Sequence, residues 1–126
     1  MIQPIEHLPP NVVGFRATGE VTEADFTDIV MPRVKELVEQ TDRLNYILVL
    51  DTPISSFTFG AWFKDAVMGI RHLTKWNRAA IISDVKGIRT FTDIFSLLMP
   101  GEFRGFEHSD MDQAIDWTSE KIELPD

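Results

Sequence analysis

Two apolar runs constrain the fold of this chain more than any other feature. Residues 44–50 read LNYILVL and residues 78–83 read RAAIIS, and aspartates Asp51 and Asp84 follow them directly. A short run that is apolar almost throughout is typical of a strand covered on both faces, as in a parallel sheet. The segments around these runs have apolar residues at helical spacing. The chain is therefore predicted to be an α/β protein with parallel central strands.

The other elements are predicted from turn residues and apolar periodicity. Residues 1–7 and 11–21 are predicted to form two strands, joined by a proline-rich connection. Helices are predicted at 22–40, 59–73, 88–98 and from 109 onward, with a last strand at 103–108. The order ββαβαβαβα predicts a mixed five-stranded sheet with about four helices, in which residues 44–50 are central and the first two strands lie toward one edge.

Helix starts are marked by two capping patterns. Thr22 and Asp25 have the spacing of a capping box, and Ser109 and Asp112 repeat it before the last helix. Pro32 falls inside the first helical pattern. Because proline has no backbone N–H, the first helix is expected to bend there or to have a late start.

Length and composition suit one globular domain over residues 1–126. No apolar run approaches the roughly 20 residues of a membrane-spanning helix. The first residues, MIQPIEHLPP, lack the basic start and apolar core of a signal peptide, and the chain has no cysteine. The expected location is the cytoplasm, with no insertion into a membrane.

The net charge of −8 argues against general affinity for nucleic acid, because phosphates must be neutralised by clustered cations. Residues 64–104 are nevertheless locally basic, with 7 bases against 4 acids. Solvated helix faces are the ordinary explanation, and an anionic ligand or headgroup site is the alternative. These bases are Lys64, Arg71, Lys75, Arg78, Lys86, Arg89 and Arg104.

The sequence gives little support to catalysis. It has no GxSxG elbow, no HExxH and no glycine-rich phosphate loop. The three histidines, His7, His72 and His108, are scattered and are expected to lie at the surface. Asp51 and Asp84 end neighbouring strands and could pair as carboxylates, although loop capping is the expected role. We expect no enzyme, no catalytic residue, no metal and no cofactor.

The chain resembles a known fold family. Its element order, Asp51 at a strand end, and the pair Thr58 and Gly60 before a helix resemble the STAS fold of anti-sigma-factor antagonists. A closer resemblance is to the SpoIIAA-like family of small bacterial proteins. It rests on Gly19, Thr22, Asp25, Pro32, Ala61, Trp62, Asp65, Arg78, Ala79, Ala80, Asp84, Arg104, Gly105, Phe106, Ala114 and Trp117.

The resemblance implies a fold more firmly than a function. Anti-sigma antagonists are phosphorylated on serine in a DSSG-like motif where their second helix begins. Here Phe57, Thr58 and Phe59 stand where Asp-Ser-Ser would precede Gly60, so the acid is missing. Thr58 or Ser56 is the candidate phospho-acceptor. The alternative function is therefore a STAS-type regulatory domain that docks on a protein partner.

The SpoIIAA-like fold also looks like the lipid-carrying CRAL-TRIO domains, which suits the aromatic stretch SSFTFGAWFKDAV at 55–67. We predict a non-catalytic binding module that holds an apolar small molecule or lipid-like ligand between the second and third helices. Core packing is the alternative for each aromatic side chain. The predicted walls are Phe57, Phe59, Trp62, Phe91, Phe95 and Met99, with Arg71 or Arg89 at the mouth to meet an anionic headgroup.

The third predicted helix has a wide apolar arc. Leu97 and Met99 extend it beyond what packing on a sheet requires. Such a surface is covered by a ligand, a partner or a second copy of the chain. A homodimer is the expected outcome.

Overall fold

A five-stranded sheet organises the residues that the structure, a computed structural model, describes: 1–51, 58–59, 76–84, 86 and 102–120. The strands lie side by side in the order β1, β2, β4, β6 and β7, and a separate pair joins β3 to β5. Their bounds are β1 Ile2–Pro4, β2 Val13–Ala17, β3 Glu20–Val21, β4 Leu44–Leu50, β5 Thr58–Phe59, β6 Trp76–Ile82 and β7 Glu102–Phe106.

The sheet is mixed, as predicted. β1 runs antiparallel to β2, whereas β2, β4, β6 and β7 are parallel to one another. β4 occupies the centre, and six of its seven residues are buried. The prediction that residues 44–50 form the central strand and that the first two strands lie toward one edge is confirmed.

The two described helices cover opposite faces of the sheet. Val30, Val34 and Leu37 of the first helix pack with Phe15 and Leu48 on one face. The last helix packs Ala114 against the other face in a second cluster with Ile47, Val49, Ala80, Ile82 and Phe106. Neighbouring residues of β4 thus point into different cores, because successive side chains of a strand alternate between faces.

The first helix is built in three parts. An α-helical turn at Glu23–Asp25 passes into a π-helical turn at Phe26–Val30 and then into an α-helix at Met31–Thr41. The predicted capping box is present, since the Thr22 hydroxyl accepts from the Asp25 N–H and the Asp25 carboxylate accepts from the Thr22 N–H.

Pro32 lies in the first turn of the third part of this helix, directly after the π turn. In that turn the N–H of Met31 reaches back five residues to the carbonyl of Phe26. A widened turn fits next to Pro32, because proline has no N–H to donate to the regular hydrogen bonds of an α-helix. The late start predicted at Pro32 is therefore observed as a restart of the α-helix.

The segment predicted as one strand at 11–21 is divided. Gly19 has a φ of +58° and separates β2 from β3. β3 then pairs in parallel with β5, with Val21 opposite Phe59. The prediction that a helix begins at Phe59 was wrong for that residue, because its backbone is extended and paired with β3.

The start of the last helix also differs from the prediction. A 3₁₀ turn at His108–Asp110 precedes the α-helix at Met111–Ser119, so Ser109 lies inside the turn and is not a cap. The turn is closed by the Asp110 N–H, which donates to the Glu107 carbonyl at 2.9 Å. The rest of the predicted second helix and the predicted third helix lie outside the described residues.

Candidate functional site

The carboxyl ends of the parallel strands bring polar side chains together at one edge. Asp51 follows β4, Ser83 and Asp84 follow β6, and His108 follows β7. In open α/β sheets, ligands bind outside this edge, where the loops between strands and helices converge. We call this region the carboxyl edge.

Arg16 and Asp51 form the charged centre of the carboxyl edge. Arg16 lies on β2, and its Nη1 is 2.8 and 2.7 Å from the two carboxylate oxygens of Asp51. The backbone N–H of Asp51 donates to the Ala17 carbonyl at 3.2 Å, which extends the pairing of β2 with β4. The side chains are 41% and 30% exposed, so the ion pair itself contributes little stability, about 1 kcal/mol or less.

His108 joins β7 to β4. Its Nε2 lies 2.9 Å from the carbonyl oxygen of Leu50 and 3.6 Å from Oδ1 of Asp51. Because a carbonyl oxygen can only accept, Nε2 carries the proton and donates it. β6 lies between β4 and β7, so this imidazole crosses the carboxyl end of β6.

Ser83 lies at that end of β6. It is 1% exposed, and its hydroxyl oxygen has no hydrogen-bond partner among the described residues, whereas its N–H donates to the Phe106 carbonyl at 3.1 Å. An unsatisfied buried hydroxyl costs about 1–3 kcal/mol. Ser83 therefore places a buried polar group at the end of β6, between the strands that carry Asp51 and His108.

The contacts among Arg16, Asp51 and His108 orient these side chains at the carboxyl edge, where their polar atoms can contact a ligand. The carboxylate of Asp51 is engaged by Arg16, and one ring nitrogen of His108 is engaged by Leu50. The other ring nitrogen, Nδ1, makes no hydrogen bond with the described residues. Within the described ranges, no three His, Asp or Glu side chains stand close enough together to hold a metal ion.

Comparison with protein families assigns this arrangement to a family. The SpoIIAA-like family model matches residues 12–119, which include every strand of the sheet except β1. The chain belongs to the SpoIIAA-like family. The resemblance found in the sequence is thereby confirmed.

A solved structure supports the fold of this SpoIIAA-like chain. The chain is similar to an uncharacterised protein of the DUF3478 family from Shewanella loihica PV-4, whose crystal structure has a SpoIIAA-like fold. The two share 22% identity over 93% of each chain, with a TM-score of 0.66. Comparison with curated proteins gives no match. At this identity the likeness concerns the fold alone.

The SpoIIAA-like family and its STAS-type fold indicate a regulatory or binding domain. In the described part of the chain, no helix has the length and apolarity needed to cross a membrane. The described residues place the carboxyl edge directly before the segment at 52–57, where the aromatic stretch begins.

Most of the predicted ligand site cannot be compared with this geometry. Only the backbones of Thr58 and Phe59 are described, and both lie in β5. For Thr58 this means an extended backbone paired with Glu20 and not the helix start that the STAS resemblance implies. The remaining predicted residues lie outside the described ranges: Ser56, Phe57, Trp62, Arg71, Arg89, Phe91, Phe95 and Met99.

The sequence interpretation missed the roles of Arg16 and His108. Arg16 is a charged residue between buried Phe15 and Ala17 on an otherwise apolar strand, which is the one local signal that could have singled it out. His108 was expected to be a plain surface residue. It is 48% exposed, but its contact with Leu50 depends on the order of the strands, which no local pattern gives.

Proposed function

We propose that this SpoIIAA-like chain is a non-catalytic binding domain that acts through its carboxyl edge. The observation that carries the proposal is the cluster of Arg16, Asp51 and His108, which joins β2, β4 and β7 beside the start of the aromatic stretch. Backbone pairing within the sheet fixes these strand ends, and the cluster adds side-chain contacts across them, so the loops that follow start from a firm base. A pre-organised base lowers the entropic cost of binding.

The contacts of the cluster support binding over catalysis. A general base needs an available carboxylate or imidazole nitrogen close to an accessible nucleophile. Asp51 is held by Arg16. Nδ1 of His108 makes no hydrogen bond with the described residues, but the hydroxyl of Ser83, which lies at the end of the strand between, is buried and so closed to a substrate. The described groups thus fit a structural and recognition role.

The ligand we propose is an apolar small molecule or acyl chain, held between the second and third predicted helices. This part of the proposal rests on sequence position. The aromatic stretch follows Asp51 by a few residues, and the basic residues Arg71 and Arg89 lie in the two segments that would form the walls. An apolar pocket with a few polar groups at its mouth is the usual form of such sites.

Two tryptophan variants test the apolar site. Trp62→Ala should abolish binding of a fluorescent fatty-acid probe while destabilising the protein modestly, because a ligand-facing side chain contributes little to the core. Trp117→Phe is the matched control, since Trp117 packs against Phe106 at 5.9 Å between ring centroids and is remote from the proposed walls in sequence. Probe binding by the parent and the control, but not by Trp62→Ala, is the expected result.

Two results would contradict the apolar site. The parent protein could bind no apolar probe and carry no co-purified lipid in native mass spectrometry. Alternatively, Trp62→Ala could bind the probe like the parent but lose about 3–5 kcal/mol of stability, the cost of truncating a buried aromatic residue. In that case Trp62 is part of the core.

A STAS-type regulatory domain is the second candidate, favoured by membership of the SpoIIAA-like family. Under this second proposal, the segment from Ser56 to Thr58 docks on a protein partner, and phosphorylation controls the docking. Incubation with a cell extract and labelled ATP should then place phosphate on the parent protein but not on a double variant, Ser56→Ala with Thr58→Ala. Equal labelling of the two proteins, or none, would remove this candidate.

A further inference from the structure

A separate groove lies at the amino edge of the sheet, opposite the carboxyl edge. Its volume is about 810 Å³, within the range of sites for small molecules. The first loop, the starts of β4 and β6 and the ends of both described helices meet there. The residues that decide its chemistry are Pro9, Pro10, Asn11, Arg43, Asn77 and Glu120.

Three side-chain amides form the floor of the groove, and the central one, Asn45, is buried. Asn45, on β4, is 4% exposed, and its Oδ1 accepts from Nδ2 of Asn77 at 2.8 Å. Nδ2 of Asn45 donates to the Asn11 carbonyl at 3.0 Å, and Nδ2 of Asn11 donates to the Ser119 carbonyl at 2.9 Å. A buried amide that is bonded at both ends is fixed in orientation, so the floor is pre-organised.

An irregularity in the sheet presents Asn77 to the groove. Leu44 pairs with Trp76, but the next residue, Asn45, pairs with Arg78, so Asn77 is an extra residue on β6. Bulges of this kind redirect a side chain and are common beside functional sites. Nδ2 of Asn77 donates to Asn45, whereas Oδ1 of Asn77 accepts no hydrogen bond from the described residues. That oxygen is available to a ligand that donates.

The charges of the groove do not favour an ionic ligand. Arg78 is shared between Glu120 at 3.0 Å and Glu102 at 3.2 Å, so these three side chains keep one net negative charge, which the positive charge of Arg43 balances. The guanidinium of Arg43 makes no ion pair or hydrogen bond with the described residues and supplies several donors. The groove therefore offers an acceptor at Asn77 and donors at Arg43, beside the apolar rings of Pro9 and Pro10.

We propose that this groove binds a neutral, hydroxyl-rich small molecule of the size of a mono- or disaccharide. A hydroxyl both donates and accepts, so one ligand can donate to Asn77 Oδ1 and accept from Arg43. The C–H faces of such a molecule can lie against the rings of Pro9 and Pro10. Carboxylates, phosphates and amines satisfy only one of the two polar partners.

The test is a titration of the full chain, followed by NMR. The probes are glucose, maltose and trehalose, with inorganic phosphate and methylammonium as charged compounds that carry no alcohol group. The side-chain amide signals of Asn11, Asn45 and Asn77 report directly on the floor of the groove. At least one neutral sugar should shift the Asn77 and Asn45 amides in a saturable way and bind more tightly than phosphate, which can only accept, or methylammonium, which can only donate.

The variant that tests the groove is Arg43→Gln. Asn77 is left unchanged, because truncating it would remove the hydrogen-bond donor to buried Asn45. Arg43→Gln should weaken binding about tenfold, the loss expected for a hydrogen bond from a charged donor. Arg33→Gln is the matched control, since Arg33 is an exposed arginine of the first helix that does not line the groove, and it should bind like the parent.

Four results would overturn the proposal. No neutral sugar shifts the groove amides at millimolar concentration, a charged compound binds more tightly than every neutral sugar, or Arg43→Gln binds as tightly as the parent. Shifts that fall on Arg16 and His108 instead would place binding at the carboxyl edge and would also overturn it. None of these results depends on the apolar ligand proposed above.

Discussion

Tyr46 is the only tyrosine of the chain, and burial raises the pKa of its phenol well above its usual range. Its ring lies 5.6 Å from that of Phe15 between centroids, in the core under the first helix. The residue keeps some accessible surface, but enough protein surrounds the phenol to remove most of its hydration. Charging it would require unfolding or exposure.

This pKa shift predicts a loss of stability at alkaline pH. The stabilisation is fully present below the pKa of the unfolded chain, about 10. Above it the unfolded chain releases the proton while the folded chain retains it, so the free energy of unfolding falls as pH rises. Phenolate absorbance should appear only as the protein unfolds. Tyr46→Phe should weaken the alkaline loss of stability, and a native phenolate signal near pH 10 would contradict the prediction.

Gly19 is the residue that separates β2 from β3, and its φ of +58° favours glycine. A Cβ there would meet no atom of the described part of the chain within 4 Å, so the expected cost of substitution lies in the backbone conformation. Gly19→Ala should therefore cost about 1–2 kcal/mol in urea unfolding. Gly19→Asn should cost less, because asparagine tolerates this conformation. Equal stability of the parent and Gly19→Ala would show that the turn adapts.

At the scale of single elements, the first helix depends on its capping box. Thr22→Ala removes the acceptor for the Asp25 N–H and should cost about 1 kcal/mol by thermal or urea unfolding. Thr27→Ala is the control from the same helix. Its hydroxyl donates to the Glu23 carbonyl at 2.8 Å, a contact that adds little to helix stability. Equal effects of the two variants would exclude a special role for the cap.

The last helix is tied to the sheet by Arg78. This side chain is 11% exposed, lies over the ring of Trp117 and donates to the Trp117 carbonyl at 2.6 Å. Glu102 and Glu120 flank it at 3.2 and 3.0 Å. Two positions that carried the family resemblance, 78 and 117, are thus direct partners. A cation at a helix C-terminus is stabilising, because the last carbonyls carry partial negative charge.

At the scale of the whole molecule, the central position of β4 predicts its dynamics. β4 is paired on both sides, by β2 and β6, and lies between two cores. Amides from Ile47 to Leu50 should show the strongest protection in hydrogen exchange, close to the free energy of global unfolding. Those of β1, at the edge of the sheet, should exchange faster. The reverse order would be incompatible with this topology.

Self-association is a second prediction at this scale, and we propose it from the third predicted helix. Leu97→Asp or Met99→Asp should lower the apparent mass in solution from dimer to monomer without loss of the fold. Lys35→Asp, at an exposed position of the first helix, is the control and should stay dimeric. A parent protein that is monomeric by light scattering would remove the proposal.

The sequence by itself determined the elements whose signals are local. The apolar run at 44–50 predicted the central strand because full burial requires apolar residues on both faces. The spacing of Thr22 and Asp25 predicted the cap, and Pro32 predicted the irregular helix, because a missing N–H acts within one turn. The order of elements along the chain was enough to predict the mixed sheet, since parallel strands must be joined by crossover connections such as helices.

Only the tertiary structure decided the features that join distant residues. Arg16 reaches Asp51 across 35 positions of the chain, and His108 reaches Leu50 across 58. The pairing of β3 with β5 and the extra residue Asn77 depend on strand register. Periodicity reports which face of an element is buried, but not which residue of another strand lies opposite it. Both the carboxyl edge and the amide floor of the groove arise from that pairing, which is fixed only when the strands assemble.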